Sequence, residues 1–230
     1  MTQSNLGTIL LVCTSHELLG ETGHKTGFWI EELAAPWYVF LEAGYDVVIA
    51  SPGSVRPPID PSSLQPQFRT EAVKRFEADD AGMAALAASV PLSRIPDTNA
   101  FSGIFLVGGH GAMWDFPENK ELTRLLDEAA SSCKTIGAVC HGVTGLLAAS
   151  DPKFLDTRAV AGFSNEEEAA VGLTEVVPFP LQTCLEAKRA RSVAGAAFSI
   201  HVQSDGGLVT GQNPASSVQT AKAMLQAKEP

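Results

Sequence analysis

Cys140 is the residue of this sequence whose surroundings best suit a nucleophile. It stands in the string AVCHG, residues 138–142, between a short apolar run and a segment with helical character. A sharp strand-to-helix turn exposes one side chain, and a small residue two positions later lets the backbone pass closely. Backbone N–H groups at the start of the helix favour a thiolate and can stabilise an oxyanion. The string therefore predicts a nucleophile elbow, although a free cysteine is usually a small buried hydrophobe.

A second candidate is the glycine-rich turn GGHG at residues 108–111. It lacks the lysine and hydroxyl residue of a phosphate-binding P-loop, and its spacing is not that of the dinucleotide-binding motif. Glycine has no side chain, so the N–H of Gly109 can approach a ligand closely. The turn predicts an oxyanion or substrate-binding role for Gly109, His110 and Gly111, although a plain tight turn explains the pattern about as well.

The other cysteines show no sign of reactivity. Cys13 lies in an apolar run, Cys133 near a helix end and Cys184 in an amphipathic segment, and none of the four forms a CxxC pair. This usage excludes a disulfide scaffold and is typical of a reduced compartment, so we expect a cytoplasmic protein. No ligand pair has the spacing of a zinc site such as HExxH, and we therefore expect no metal.

Strand-like and helix-like segments alternate along the chain and must position these residues. Continuous apolar runs predict strands at 8–13, 46–50, 103–107 and 135–139. Apolar residues at helical spacing, or a first-turn proline, predict helices over 28–43 and 143–150 and from Pro117 and Pro214 onward. Residues 204–207 predict a hairpin turn. The alternation favours an α/β fold with a mainly parallel sheet covered by helices on both faces. Such folds bind ligands outside the carboxyl ends of the strands, where Cys140 and the GGHG turn both fall.

The composition limits the partners that this protein can have. Its 230 residues are 45% hydrophobic and 18% charged, which predicts one globular domain over residues 1–230. A formal charge of −10 argues against nucleic acid or an anionic membrane as the main partner, because either would need a basic surface. We found no apolar run that approaches the length of a membrane span.

Several motifs occur in an order that identifies a family. They are Lys25-Thr26-Gly27 before Glu32, GGHG at 108–111 with Asp115 and Pro117, AVCHG at 138–142, GFSN at 162–165 before Glu166–Glu168, and TGQNPAS at 210–216. The sequence resembles the ThiJ/PfpI superfamily over nearly its whole length. The resemblance implies a flavodoxin-like fold of the class I glutamine-amidotransferase type. Within the superfamily the chain is most similar to the branch of heat-shock-type chaperones and glyoxalase III enzymes, also called D-lactate dehydratases.

The resemblance also implies roles for individual residues. The nucleophile of the family falls on Cys140 and its histidine on His141. The carboxylate that orients the histidine falls on Glu168, with Glu167 as the alternative if the loop is one residue shorter. Without the family, three consecutive glutamates would be a surface charge run.

A buried glutamate that contacts the cysteine in this family falls on Glu32, with Glu31 as its rival. Both lie off the apolar stripe of their helix, so the pattern alone would give each a solvated position. A carboxyl held beside a thiol in a partly dry pocket has a raised pKa, which lets it pass a proton.

The activity implied by the resemblance is the conversion of methylglyoxal, or a related small 2-oxoaldehyde, to a 2-hydroxy acid without glutathione, metal or cofactor. A homodimer and a role in the stress response are implied as well. Two alternatives stay open at this point. One is a holdase chaperone or thiol redox sensor, and the other is a hydratase or hydrolase that uses the same cysteine.

Three histidines have no role assigned by the motifs. His16 and His24 fall in the loop after the first strand and could contact substrate. His201 falls in a strand before the hairpin, where a structural role is the simpler interpretation.

Overall fold

The computed structural model describes residues 6–53 and 56–227. Within these ranges the strands are β1 (Thr8–Val12), β2 (Asp46–Ser51), β3 (Val90–Pro91), β4 (Gly103–Leu106), β5 (Thr135–Val139), β6 (Ala159–Val160), β7 (Arg191–Ser192), β8 (Val202–Asp205) and β9 (Leu208–Gly211). The α-helices are α1 (Ile30–Glu42), α2 (Glu71–Glu77), α3 (Asp80–Ala87), α4 (Ala112–Asp115), α5 (Lys120–Ser131), α6 (Asn165–Ala170), α7 (Leu181–Ala187) and α8 (Ser217–Gln226). A longer 3₁₀ helix covers Cys140–Ala148.

Seven strands form one sheet in the order β3-β2-β1-β4-β5-β9-β8. Its neighbouring strands are parallel except β8 and β9, which form an antiparallel hairpin. Strands β6 and β7 form a separate parallel pair. The predicted α/β fold with a mainly parallel sheet is confirmed. The carboxyl ends of β1, β4 and β5 lie side by side, because β1 pairs with β4 and β4 pairs with β5.

The central strands are covered on both faces. All four residues of β4 are buried, as are the last four residues of β1 and of β5. Successive side chains of a strand point to opposite faces, so a strand that is buried throughout has apolar groups against both sides. The continuous apolar runs in the sequence reflect this arrangement.

One predicted helix of this region differs from the structure in its start, and another differs in its type. Helix α5 begins at Lys120 and not at Pro117, because the side chain of Asn119 accepts hydrogen bonds from the N–H groups of Glu121 and Leu122. The segment after Cys140 is helical as predicted, but it forms a 3₁₀ helix and not an α-helix.

The C-terminal region contains one confirmed prediction and one correction. The hairpin turn is present, with Asp205 opposite Leu208 and Gly206 at a φ of 61°. Pro214 begins only a short 3₁₀ turn, and α8 starts at Ser217. The side chain of Asn213 does not cap the helix but donates a hydrogen bond to Glu167 Oε1 at 2.8 Å.

The remaining sequence predictions concern the chain as a whole. No helix in the described ranges is long and apolar enough to cross a bilayer. Cys13 is buried directly after β1, Cys133 is exposed just beyond α5, and Cys184 lies half-buried in α7, all as free thiols. The assignment of residues 1–230 to a single domain stays a prediction.

Candidate active site

Cys140 occupies the corner between β5 and the 3₁₀ helix. Its φ is 55°, in the left-handed region that residues other than glycine rarely adopt, and it is 3% exposed. Gly142 follows the corner, and a Cβ there would come within 2.4 Å of the Leu106 carbonyl oxygen. The strand-to-helix corner predicted from the sequence is therefore present, including its need for a small residue two positions after the cysteine.

His141 connects the thiol to a carboxylate. Its Nδ1 lies 3.4 Å from Cys140 Sγ, and its Nε2 lies 2.8 Å from Glu168 Oε2. Glu168 comes from the first turn of α6, which Ser164 and Glu167 fix with a reciprocal capping box. The structure thus places Glu168, and not Glu167, at the histidine.

Glu167 belongs to the supporting structure. It is fully buried and accepts hydrogen bonds from the cap residue Ser164, from Asn213 and from the Phe198 N–H. Of the three consecutive glutamates only Glu166 is exposed. The expectation of a mostly solvated charge run is wrong, because the helix turns two of its members into the protein.

The protonation states follow from these contacts. Burial would raise the pKa of Glu168, but hydrogen bonds from His110 and His141 lower it to about 2. Burial and the neighbouring His110 lower the pKa of His141 to about 4, although Glu168 opposes this. At neutral pH the imidazole of His141 is neutral beside an ionised carboxylate. Nε2 then carries the proton toward Glu168, which leaves Nδ1 as an acceptor that faces the thiol.

Glu32 approaches the same sulfur from α1. It is fully buried, and a Cβ on Gly108 would lie 2.3 Å from its Oε2. Burial raises the pKa of the Glu32 carboxyl well above its usual range. The Cys140 thiol and the Gly108 N–H lower this pKa, but their effects are smaller than that of burial. Neither carboxylate oxygen has a partner with good hydrogen-bond geometry. Glu31 instead accepts a hydrogen bond from Thr70, so Glu32 is the glutamate at the thiol.

The sequence predicts that Cys140 is readily ionised, and the surroundings of its thiol contradict this prediction. Burial, followed by the nearby Glu32 carboxylate, raises the pKa of the Cys140 thiol well above its usual range, while the His141 N–H opposes this. Two adjacent buried groups cannot both ionise without a large cost. The pair of Cys140 and Glu32 therefore retains a proton at neutral pH.

The glycine-rich turn is divided between two environments. Gly109 lines the cavity at a φ of 107°, and its N–H has no hydrogen-bond partner among residues 6–53 and 56–227. His110 also lines the cavity, and its Nε2 lies 3.0 Å from Glu168 Oε1. Gly111 is not among the described residues that line the cavity. Its N–H donates to the Gly27 carbonyl, and a Cβ at this position would come within 2.7 Å of the His16 carbonyl oxygen. The contact of Gly111 with substrate stays a prediction.

A cavity of about 260 Å³ lies over Cys140. Most of its wall is apolar and was not predicted from the sequence. The lining residues are Trp29, Phe68, Gly109, His110, Cys140, His141, Phe163, Val171, Phe198, Asn213, Pro214 and Ala215. Several come from loops, where no periodic pattern marks a residue that faces a cavity.

The fold also brings together three groups that could share a cation. Donor atoms of His110, His141 and Glu168 lie within 4.8 Å of one another. These residues come from three separate segments, so no spacing rule applied to the sequence could find them. In the structure they are hydrogen-bonded to one another.

The other histidines lie outside the cavity. His16 stacks on Trp114 with ring centroids 4.9 Å apart, and His24 is exposed. Neither lines the cavity, so the suggested substrate contacts are not supported. His201 precedes β8, and its N–H donates to Ser216 Oγ, in keeping with a structural role.

A parallel sheet with a buried cysteine, histidine and glutamate at a strand-to-helix corner defines the class of this protein as an α/β protein with a nucleophile elbow. Within that class the chain belongs to the DJ-1/PfpI family, whose sequence model matches residues 25–227. The resemblance stated from the motifs is thereby confirmed.

Individual relatives cover nearly the whole chain. Glutathione-independent glyoxalase hsp3101 of Schizosaccharomyces pombe is 30% identical over 97% of this chain and 96% of its own length. Glyoxalase III of Candida albicans has a solved structure with a TM-score of 0.89 and 26% identity, over 97% of this chain and 98% of that one. The Francisella tularensis Rapid Encystment Protein of 24 kDa gives a TM-score of 0.92 and 34% identity, over 96% and 99%.

Proposed function

We propose that this protein is a glutathione-independent glyoxalase that converts methylglyoxal, or a related 2-oxoaldehyde, to a 2-hydroxy acid. The observation that carries the proposal is the buried Glu32 carboxyl beside the thiol of Cys140, a residue that lines an apolar cavity. Simple hydrolysis does not require a second carboxyl at the nucleophile, whereas moving a proton between two carbons needs a proton-transfer group close to the sulfur, a role that Glu32 can fill. Several relatives are named as glyoxalases, which points in the same direction.

The first step is addition of the sulfur to the aldehyde carbon. As the S–C bond forms, the thiol proton passes to Glu32 or to Nδ1 of His141, 3.4 Å away. The aldehyde oxygen becomes the hydroxyl of a hemithioacetal. The N–H groups of Gly109 and His141 are the donors that would stabilise its developing negative charge.

The second step moves a proton between the two reacting carbons. A base, Glu32 or His141, removes the proton from the carbon that carries sulfur, and the electron pair forms an enediol with the neighbouring carbonyl. The neighbouring carbonyl oxygen takes up a proton as the enediol forms. Proton transfer to the second carbon, with loss of the O–H proton on the carbon that carries sulfur, then gives a thioester with a hydroxyl on the second carbon. One carbon is oxidised and the other reduced, so no external oxidant, reductant or cofactor is needed. A carboxyl with a raised pKa suits this role because it can hold the proton between the two transfers.

Hydrolysis completes the cycle. Water adds to the thioester carbonyl, the C–S bond breaks, and the sulfur leaves with a proton as the Cys140 thiol. His141 can activate this water through its unprotonated Nδ1, since Glu168 holds the proton on Nε2. The protein thiol thus takes the place that glutathione would otherwise occupy.

The alternatives receive less support from the site. A redox sensor needs an accessible thiolate, whereas Cys140 is 3% exposed and burial raises the pKa of its thiol. A hydratase or hydrolase mechanism that uses Cys140 does not require a carboxyl beside the thiol, so it would not explain the position of Glu32. No observation within the described ranges specifically favours a holdase chaperone.

We further propose a cytoplasmic homodimer. The four free thiols support a reduced compartment, and the dimer is the assembly that the family resemblance implies. Sedimentation at micromolar concentration should give twice the chain mass, and a monomer would contradict the dimer without affecting the activity.

The activity is tested by incubating purified protein with methylglyoxal in the absence of any added thiol. We expect lactate to form and Cys140→Ser to lower kcat/KM at least about 10³-fold, because no other group can supply the covalent step. Cys133→Ser, at an exposed cysteine outside the cavity, is the matched control and should retain full activity. Lactate production that survives in Cys140→Ser would contradict the mechanism.

A further inference from the structure

We propose that the preferred substrate carries a bulky, neutral, aromatic group on the ketone carbon, so that arylglyoxals are better substrates than methylglyoxal. This inference rests on the proposed glyoxalase activity and specifies its substrate class. It follows from the size, the lining and the aromatic rings of the cavity over Cys140.

The cavity is larger than methylglyoxal requires. Its volume is about 260 Å³, whereas a water molecule in the liquid occupies about 30 Å³. A three-carbon aldehyde bonded to Cys140 would leave most of this space to water against an apolar wall. A ring attached to the ketone carbon would fill it.

The lining excludes a charged substituent. Among the lining residues within 6–53 and 56–227 there is no lysine, arginine, aspartate or glutamate. A substrate carboxylate or phosphate would lose its hydration there without gaining an ionic partner. The polar side chains of the lining are Cys140, His141 and His110 at the reacting end, Asn213, and the indole N–H of Trp29.

Two pairs of aromatic side chains form the apolar part of the wall. Trp29 and Phe68 have ring centroids 5.0 Å apart in an edge-on arrangement, and Phe163 and Phe198 have centroids 6.3 Å apart. Phe163 also lies with its centroid 4.5 Å from that of His141. Aromatic rings attract a further ring through edge and offset contacts beyond simple burial. The pairs therefore offer such contacts next to the reacting carbons.

Phe198 is held over the cavity at a conformational cost. It is 50% exposed, and its φ is 59°, a left-handed conformation that a residue with a Cβ rarely adopts. Its N–H donates to the buried Glu167 Oε1 at 2.7 Å, and Glu167 is itself fixed by Ser164 and Asn213. A buried network thus fixes the backbone that carries an apolar ring into solvent. We infer that the exposed ring of Phe198 is held in this position to contact the substrate, which would cover it.

The chemistry remains the one proposed above. With phenylglyoxal, sulfur adds to the aldehyde carbon, the proton moves to the carbon that carries the phenyl group, and water releases mandelate. Atoms and electrons balance without any co-reactant except water.

The test compares kcat/KM for phenylglyoxal and methylglyoxal, which share the reacting group and differ only in phenyl against methyl. We expect phenylglyoxal to be preferred at least about tenfold, because even a single methylene in an apolar pocket changes kcat/KM by about that factor. Mandelate is measured directly. Cys140→Ser, run in parallel, corrects for phenylglyoxal consumed by arginine side chains.

Variants locate the preference in the cavity wall. Phe198→Ala should lower the ratio of kcat/KM for phenylglyoxal to kcat/KM for methylglyoxal about tenfold, whatever its effect on the methylglyoxal value itself. Ile200→Ala is the matched control, since Ile200 is an apolar residue that is 56% exposed but does not line the cavity. It should change neither value.

A binding measurement separates this inference from the proposed activity. Calorimetry with the neutral product analogues mandelamide and lactamide should show tighter binding of mandelamide, and Phe198→Ala should remove the difference. Turnover of both aldehydes with no preference for phenylglyoxal would overturn the inference and leave the glyoxalase activity intact. An inactive protein that still prefers mandelamide would overturn the activity and support the aromatic cavity. Equal binding of the two amides would overturn the inference.

Discussion

Two buried glutamates lie on either side of the reacting cysteine and histidine, and their surroundings are opposite. Both come from the first turn of a helix, Glu32 from α1 and Glu168 from α6. Glu168 is bonded to two histidines, and its pKa is lowered to about 2. Glu32 has no well-formed hydrogen bond, and burial raises its pKa. The same side chain is thus kept as a permanent anion in one place and as a proton carrier in the other.

The difference shows how a fold assigns roles without changing the residue type. A carboxylate with satisfied oxygens is a fixed charge that orients its neighbours. A carboxyl without partners changes protonation state easily, which is what a group that transfers a proton needs. The unpaired Glu32 lowers stability, and such local costs are commonly found at functional sites.

The largest effect should come from removing the proton carrier. Glu32→Gln keeps the size of the side chain but cannot accept the thiol proton or carry it between carbons. We expect kcat to fall about 10³-fold, within the range of roughly 10²–10⁴ typical of a general acid–base group. Steady-state assays with a 2-oxoaldehyde measure this directly.

The matched control is Glu31→Gln, one position earlier on the same helix. Its carboxylate bonds Thr70 and does not face the thiol, so activity should stay within about threefold. Equal losses in the two variants would indicate a general disturbance of α1 and remove the proposed role of Glu32.

Glu32→Gln also has a stability signature. The pKa of Glu32 in the folded protein is raised above its ordinary value of 4.5. Its contribution to the free energy of unfolding is therefore fully present below about pH 4.5 and is lost as pH rises through the folded pKa. Glutamine does not ionise, so the Glu32→Gln variant does not lose stability in this way as pH rises. Its free energy of unfolding relative to the wild type should therefore increase from pH 4.5 toward alkaline pH, as measured by urea denaturation.

Substitution of Glu168, the carboxylate that stays ionised, should lower activity less than substitution of Glu32. Glu168→Gln cannot accept hydrogen bonds from both histidines through a carboxylate, so His141 loses the partner that keeps its proton on Nε2. Because Glu168 acts only through His141, we expect kcat to fall about 10²-fold, at the lower end of general acid–base contributions. Glu166→Gln, at the exposed neighbour, should leave kcat unchanged.

The pH profile distinguishes a positioning role from a merely structural one. With Glu168 ionised, the neutral His141 should give the wild type a constant kcat from about pH 6 upward. Glu168→Gln should change the shape of this profile as well as its height. A loss of activity with an unaltered profile would indicate that Glu168 only supports the fold.

The sequence was sufficient to predict the sheet and the corner at Cys140. The buried strands are continuous apolar runs, and β5 has the predicted bounds, Thr135–Val139. Glycine at 142 is required by the close approach of the Leu106 carbonyl, which a local motif can record. The strands appear as continuous apolar runs and the glycine as part of a short motif, so both can be recognised from the sequence even though the carbonyl that Gly142 approaches belongs to another strand.

The burial of Glu32 and of two glutamates in α6 could not be predicted from periodicity. Helix α1 has a recognisable apolar stripe, but residues on its other faces are also buried because α2 and α8 pack against it. The spacing of apolar residues shows which face of a helix is apolar. It does not show which other faces are covered by segments that come later in the chain. Family resemblance identified Glu32 and Glu168, whereas Phe68 and Phe198 of the cavity wall have no local signal of any kind.

The smallest expected effect concerns stability in mild acid. Burial lowers the pKa of His141 to about 4 from an ordinary value of 6.5, so folding favours the neutral ring. Its contribution is present above about pH 6.5 and is lost as pH falls through about 4, because the unfolded chain binds the proton first. We expect the contribution of His141 to the free energy of unfolding to decrease by about 3 kcal/mol over this interval. Urea denaturation of the wild type and of His141→Asn should show a flatter pH dependence in the variant between pH 6.5 and 4. Equal slopes would mean that His141 is not held neutral, and the contrast between the fixed anion and the proton carrier would then need another explanation.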